Sequence, residues 1–308
     1  MKNNFRCIVI LLFLIIFMIS GCSDGGSSNV GQEGTRSAEP VVLEPIASGE
    51  NVLGGNVSNI DISNVADGYF MVEYTSDSEK IKMQVTNSSG VVYTYDLMPN
   101  DGYAVFPISL GNGSYSVTIN ENIKGNTYAV SDTASFDVEL KDNTTSFLYP
   151  NEYVNFDKDS LAVKASEDVA KGASDDFEVI QRVYEYVVEE IDYNYDIVDS
   201  ISSFYIPDVD VVLESGKGLC FDYAATMTVM LRAQRIPTQL VIGYVDDQYH
   251  AWINVYTEET GWIYGAIQFD GKKWTTMDPT LASSSGDNMN EPSKYIGNNG
   301  KYHAMFYY

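Results

Sequence analysis

Three side chains, Cys220, His250 and Asp278, have the types and the order that nucleophilic chemistry needs. Cys220 follows Ser215-Gly216-Lys217-Gly218-Leu219 and opens an apolar run that recurs at helical spacing through Ala224, Met227, Met230 and Leu231. The spacing predicts a thiol standing where a loop turns into a helix. Unpaired N–H groups and a partial positive charge in a first helical turn favour a thiolate there. His250 lies in Gln248-Tyr249-His250-Ala251-Trp252, and the alternation of that stretch puts His250, Trp252, Asn254 and Tyr256 on one face of a strand. Asp278 ends Trp274-Thr275-Thr276-Met277-Asp278, a second strand that Pro279 stops. A thiolate, an imidazole to share its proton and a carboxylate to orient that imidazole form a complete nucleophilic triad.

The order Gly218-x-Cys220, His250-x-Trp252 and Trp274-x-x-x-Asp278-Pro279-Thr280, with Leu231-Arg232-Ala233 and Arg235-Ile236-Pro237 between, resembles a known family. It is similar to the bacterial transglutaminase-like domains of the papain-type cysteine-proteinase superfamily, over roughly residues 147–285. The resemblance implies Cys220 as nucleophile, His250 as general base and acid, and Asp278 as the group that orients His250. It also implies an α+β domain whose cysteine helix faces the histidine edge of an antiparallel sheet, and a protein or peptide substrate. The chain departs from the family pattern at Asn254, where many relatives carry Glu, and in the long segment 261–273.

The elements that must position these residues are legible around them. Leu161 to Ala173 reads as a helix, and Asp175 with Glu178 forms a capping pair before a stripe of Phe177, Ile180, Val183, Val187 and Ile191. A short helix through Val211–Leu213 leads to the cysteine. Strands at 239–245, 249–257, 262–269 and 274–277 are expected to form one antiparallel sheet, with hairpin turns at Asp246-Asp247 and Asp270-Gly271. These elements define a domain at 147–308. Its tail, 282–308, carries no motif, and His303 there reads as structural.

Ahead of that domain, short alternating runs between residues 51 and 142, separated by turns such as Asn87-Ser88-Ser89-Gly90 and Pro99-Asn100-Asp101-Gly102, read as an all-β sandwich of immunoglobulin-like shape. A spacer or binding module is its expected role. Residues 1–21 read as an export signal: Lys2 and Arg6 precede an apolar run from Ile8 to Ile19 that is short for a membrane span. Ile19-Ser20-Gly21-Cys22 resembles a lipoprotein processing site, which makes Cys22 the expected lipidated N-terminus and places the protein outside the cytoplasm, anchored to the membrane. Residues 22–50, rich in Gly, Ser, Asn and Glu, then read as a flexible tether about 30 Å in mean reach.

Composition narrows the remaining classes. A net charge of −25 argues against nucleic acid as a partner. The chain has three cysteines, and with Cys7 in the signal and Cys22 lipidated, Cys220 remains as a lone thiol with no disulfide partner. One such thiol and two histidines are too few for a zinc site, and Asp208 with Asp210 lacks the calcium-loop pattern, so neither metal nor cofactor is expected. The expected activity is attack on amide bonds through a Cys220 thioester, with the Cys220 backbone N–H as one oxyanion donor and the Tyr205 hydroxyl as a candidate for the second. Trp252 is the candidate wall of a substrate pocket. Water or an amine could resolve the thioester, with hydrolysis preferred. The alternative is a surface binding module whose transglutaminase-like domain is inactive.

Overall fold

The computed structural model describes residues 34–78, 80–198, 200, 205–265, 267–269, 274–276 and 302–308. The export signal, Cys22 and Asp278 lie outside the described residues.

The first part of the fold is a sandwich of two antiparallel four-stranded sheets. One has the order β1 (Val52–Leu53), β2 (Ser58–Asp61), β3 (Tyr69–Tyr74), β6 (Tyr103–Pro107). The other has the order β5 (Val92–Leu97), β4 (Ile81–Asn87), β7 (Gly113–Lys124), β8 (Thr127–Val138). Alternation decides which side chains meet between them: Ile81, Met83 and Val85 on β4 and Tyr115, Val117 and Ile119 on β7 are buried, with polar neighbours turned outward. Rings join the layers, with Phe70 against Phe136 at 5.6 Å and Tyr95 against Phe106 at 4.9 Å between centroids.

The second part surrounds one buried helix. Helices α1 (Leu161–Ala170), α2 (Asp176–Glu190) and α3 (Val209–Ser215) pack on α4 (Cys220–Ala233), whose opposite side meets β11 (Thr238–Val245) and β12 (Gln248–Thr257). The capping pair of α2 forms as expected: Asp175 accepts from Glu178 N–H at 2.9 Å, and Glu178 accepts from Ser174 N–H at 2.8 Å. Every residue of α4 from Asp222 to Ala233 is buried, Thr226 and Thr228 included, because their hydroxyls donate back to the carbonyls of Asp222 and Ala224. Between α3 and α4, β10 (Lys217–Gly218) pairs in parallel with β9 (Asp192–Tyr193).

The sheet behind α4 differs from the expected one. Its order is β13 (Gly261–Ile263), β12, β11, β16 (Tyr302–Tyr307), so the C-terminal segment supplies an edge strand. The later strands, β14 (Ile267–Phe269) and β15 (Trp274–Thr276), form a hairpin of their own. His303, expected to be structural, sits opposite Tyr244 in the β11–β16 ladder. Asp246 turns the β11–β12 hairpin at a φ of 51°, a left-handed conformation that Asp tolerates better than most residues.

The expected tether is a strap over residues 34–50. Arg36 Nε donates to Asp176 at 2.7 Å, its guanidinium reaches the side chain and carbonyl of Gln234, and Val41 N–H donates to the Ala233 carbonyl at 2.8 Å. Farther along, Ile46 N–H donates to the Tyr69 hydroxyl and Gly49 N–H to Asp61. Composition missed this because Val42 and Ala38, which pack on the core, are too few to show a period. A seam of rings joins the sandwich to the α4 region: Tyr93 meets Phe306 edge-on at 5.0 Å, and Tyr95 meets Tyr308 at 5.8 Å. The described residues accordingly pack as one compact unit.

Candidate active site

Cys220 is the first residue of α4, a free and partly exposed thiol, as the sequence reading expects. Its turn is fixed by a carboxylate. Asp222 accepts from Leu219 N–H at 2.7 Å with one oxygen and from the Tyr205 hydroxyl at 2.6 Å with the other. Burial pushes the Asp222 carboxyl above its ordinary range, and those two donors act against the rise. Gly218 completes the turn, since a side chain there would strike Asp222 Cβ at 2.7 Å.

Tyr205 therefore corrects an expectation. Its proton is committed to Asp222, so it is not free to donate to an oxyanion. Burial first, then the bond to Asp222 and the charges of Asp222 and Asp208, push its hydroxyl well above the ordinary tyrosine range. It acts on the site through the helix start that it braces. Sequence reasoning missed Asp222 because a leucine stands at the cap, which hides the usual polar signature three residues before an acid.

His250 lies on β12 opposite Gly243 of β11. Ala251, Ile253 and Val255 face the core shared with α4, while the His250 ring lies 24° from the plane of Trp252, with centroids 6.5 Å apart. Tyr249, the residue before His250, has its hydroxyl pushed up by burial first, then by Tyr244 and Cys220. Trp252 is largely buried, and it lines a cavity of about 390 Å³ together with Tyr264, Tyr302 and Tyr307. Its ring lies over Gly243, where an added Cβ would come within 2.8 Å of Trp252 Cη2, and packs edge-on against Tyr302 at 5.1 Å. Asn254, where relatives carry Glu, donates to Gln239 at 2.8 Å and accepts from Gly265 N–H at 3.0 Å, so it holds β12 to its neighbours. Among the described residues no cluster of His, Cys, Asp or Glu has the arrangement of a metal site, and no helix is long and apolar enough to cross a membrane.

Buried Arg232 anchors the far end of α4. Its guanidinium donates to the carbonyls of Thr238, Tyr149 and Tyr308. Burial lowers its pKa to about 9, which still leaves the group charged at neutral pH.

Residues 163–279 match the sequence model of the transglutaminase-like superfamily. That stretch contains Cys220, His250 and Asp278, and the match supports a cysteine enzyme at the level of the superfamily. Among curated proteins nothing matches the chain. Among solved structures, a candidate cysteine protease from Cytophaga hutchinsonii is 14% identical over 75% of this chain and 79% of its own, with a TM-score of 0.34. A candidate protease from Parabacteroides distasonis is 9% identical over 64% of this chain and 62% of its own, at 0.31. Red sea bream transglutaminase is 14% identical over 69% of this chain, at 0.26, and the chain spans about half of that enzyme's length, 48%.

Proposed function

We propose that the protein is an extracytoplasmic, lipid-anchored cysteine enzyme that cleaves or transfers amide bonds of peptides or proteins. The observation that carries this reading is the setting of Cys220: a free, partly exposed thiol on the first residue of a buried helix that packs against β12, the strand that bears His250. The Sγ attacks the amide carbonyl carbon, and the oxyanion that forms meets first-turn N–H groups, which have no carbonyl four residues back to bond. The C–N bond then breaks, the leaving amine takes the proton held by His250, and a thioester remains on Cys220. Water or a second amine attacks that thioester and restores the thiol. Asp278, by the family resemblance, holds the imidazole tautomer that this proton transfer requires.

Hydrolysis is the reading we favour over transfer. Transfer needs a pocket that excludes water while admitting an amine, and otherwise water, at about 55 M, outcompetes amines for the thioester. Incubation of the full chain with a peptide pool and a dansylated amine tests both points. New peptide termini, absent in Cys220→Ala and much reduced in His250→Ala, are the expected result. Dye incorporation that depends on Cys220 would replace hydrolase by transferase. A Cys220 that iodoacetamide labels only after denaturation would leave a binding module in place of an enzyme. The membrane anchor is tested separately, since Cys22→Ala should release the protein from the membrane fraction into the medium.

A further inference from the structure

The sheet behind α4 has two faces, and α4 covers one of them. Ile242 of β11 and Ala251 and Ile253 of β12 belong to the core on that side, so His250 and Trp252, with their register partners Gly243 and Val241, belong to the other. There the cavity of about 390 Å³ is bounded by Trp252, Tyr264, Tyr302 and Tyr307. Alternation alone would put Tyr302 and Tyr307 on opposite faces of β16, because an odd number of residues separates them. A β-bulge prevents it. Ile242 stands opposite Phe306 but Gly243 opposite Ala304, so Met305 is an extra residue, and Tyr302, Ala304 and Tyr307 all come opposite the Val245, Gly243 and Val241 row. That row is the face of His250 and Trp252. Bulges re-aim side chains in this way and are over-represented beside functional sites.

The wall selects the occupant by its lack of charge. Among the described residues it carries no Asp, Glu, Lys or Arg, in a chain whose net charge is −25. A charged side chain would lose hydration there without gaining a partner, whereas an aromatic ring meets other rings at favourable angles. The surface is open to such a guest: Tyr264 is exposed, Tyr302 and Tyr307 are partly exposed, and Ala304 leaves the floor without a long side chain. The volume lies at the lower end of ligand pockets, enough for one large side chain with its backbone. The cavity also adjoins the candidate active site. Trp252, part of its wall, is the next residue on the same face as His250, with ring centroids 6.5 Å apart. A group seated there lies on the imidazole side of the scissile bond, where the leaving amine takes its proton. Tyr302, Ala304 and Tyr307 come from outside the stretch 163–279 that the superfamily model matches.

We propose that this cavity is the subsite for an aromatic side chain on the residue whose amine leaves, so that peptides are cut ahead of phenylalanine, tyrosine or tryptophan. The substrate part of this inference rests on the function proposed above; the binding part does not. Full-length Cys220→Ser protein, which cannot turn over, is titrated with phenylalanine N-methylamide, whose free amine imitates the leaving group, and with its alanine and lysine counterparts. The phenylalanine compound should bind about tenfold more tightly than either, as burial of one ring provides. Ala304→Leu, at an exposed position on the cavity floor, should abolish that preference at an unchanged melting temperature, and Tyr264→Ala should weaken it independently. In protein with its thiol intact, the new N-termini released from a peptide pool should be enriched in aromatic residues, and Ala304→Leu should lose the enrichment. Equal binding of the alanine compound, or a preference that survives both substitutions, overturns the proposal. Tighter binding of the lysine compound also overturns it, because the rings would then be holding a cation. Since the probes are read without the thiol, absent preference beside Cys220-dependent cleavage sinks only the subsite, and intact preference beside an unreactive Cys220 sinks only the enzyme.

Discussion

The sandwich and the region around α4 fill their interiors with different materials. Within the sandwich the buried side chains are aliphatic and aromatic, and the buried polar residues, Ser58 and Asp61, lie on its short strand β2. Around α4 the interior holds Asp222, Arg232, Gln234, Thr226, Thr228, Asn254 and Ser166. Burying such groups is unfavourable unless each finds a partner, and here each has one: Tyr205 and Leu219 for Asp222, three carbonyls for Arg232, and the strap and Ser166 for Gln234. A region that keeps polar groups inside is fixing geometry as well as stability. In this protein they lie along the helix that begins with Cys220 and on the elements packed against it.

The sharpest way to break this contrast is to cut the seam that joins the two parts. Tyr95 touches Phe106 in the sandwich and Tyr153 and Tyr308 beyond it, so Tyr95→Ala should cost about 4 kcal/mol and divide a single thermal transition into two. A single transition of unchanged midpoint in calorimetry would show that the seam carries no coupling.

A smaller and more local effect is expected at the helix start. Asp222→Ala leaves the buried Leu219 N–H without its acceptor, at about 2 kcal/mol, and should slow iodoacetamide labelling of Cys220 in protein that is still folded. Tyr205→Phe removes only the second bond, at about 1 kcal/mol, and should slow labelling less. If Asp222→Ala lowers stability and leaves labelling untouched, the carboxylate is structural alone.

The smallest effect concerns the strap. Burial would raise the Asp61 carboxyl, but hydrogen bonds from Ser63 and Gly49 outweigh it and hold the group below its ordinary value of 3.8. The folded carboxyl thus stays ionised where the unfolded one is protonated. Its contribution is complete above 3.8 and is lost as pH falls through the lower folded value. Exchange of the Gly49 amide should accelerate across that acid window, and Asp61→Asn should remove the pH dependence at a cost of about 1 kcal/mol.

Sequence by itself determined what short-range physics controls. The apolar period opened by Cys220 gave a helix starting at that residue, the Asp175 and Glu178 pair capped α2, and alternation placed His250 and Trp252 on one face of β12. Each signal lies within a few residues of its consequence. Only the tertiary structure decided that residues 302–307 pair with β11 at the sheet's edge, that residues 34–50 are a strap, and that the Tyr205 hydroxyl is bonded to Asp222. An open strand edge accepts any alternating segment, and a lone tyrosine or arginine carries no period, so local pattern cannot say where it lands. The pairing is settled by which distant groups would otherwise stay buried without partners.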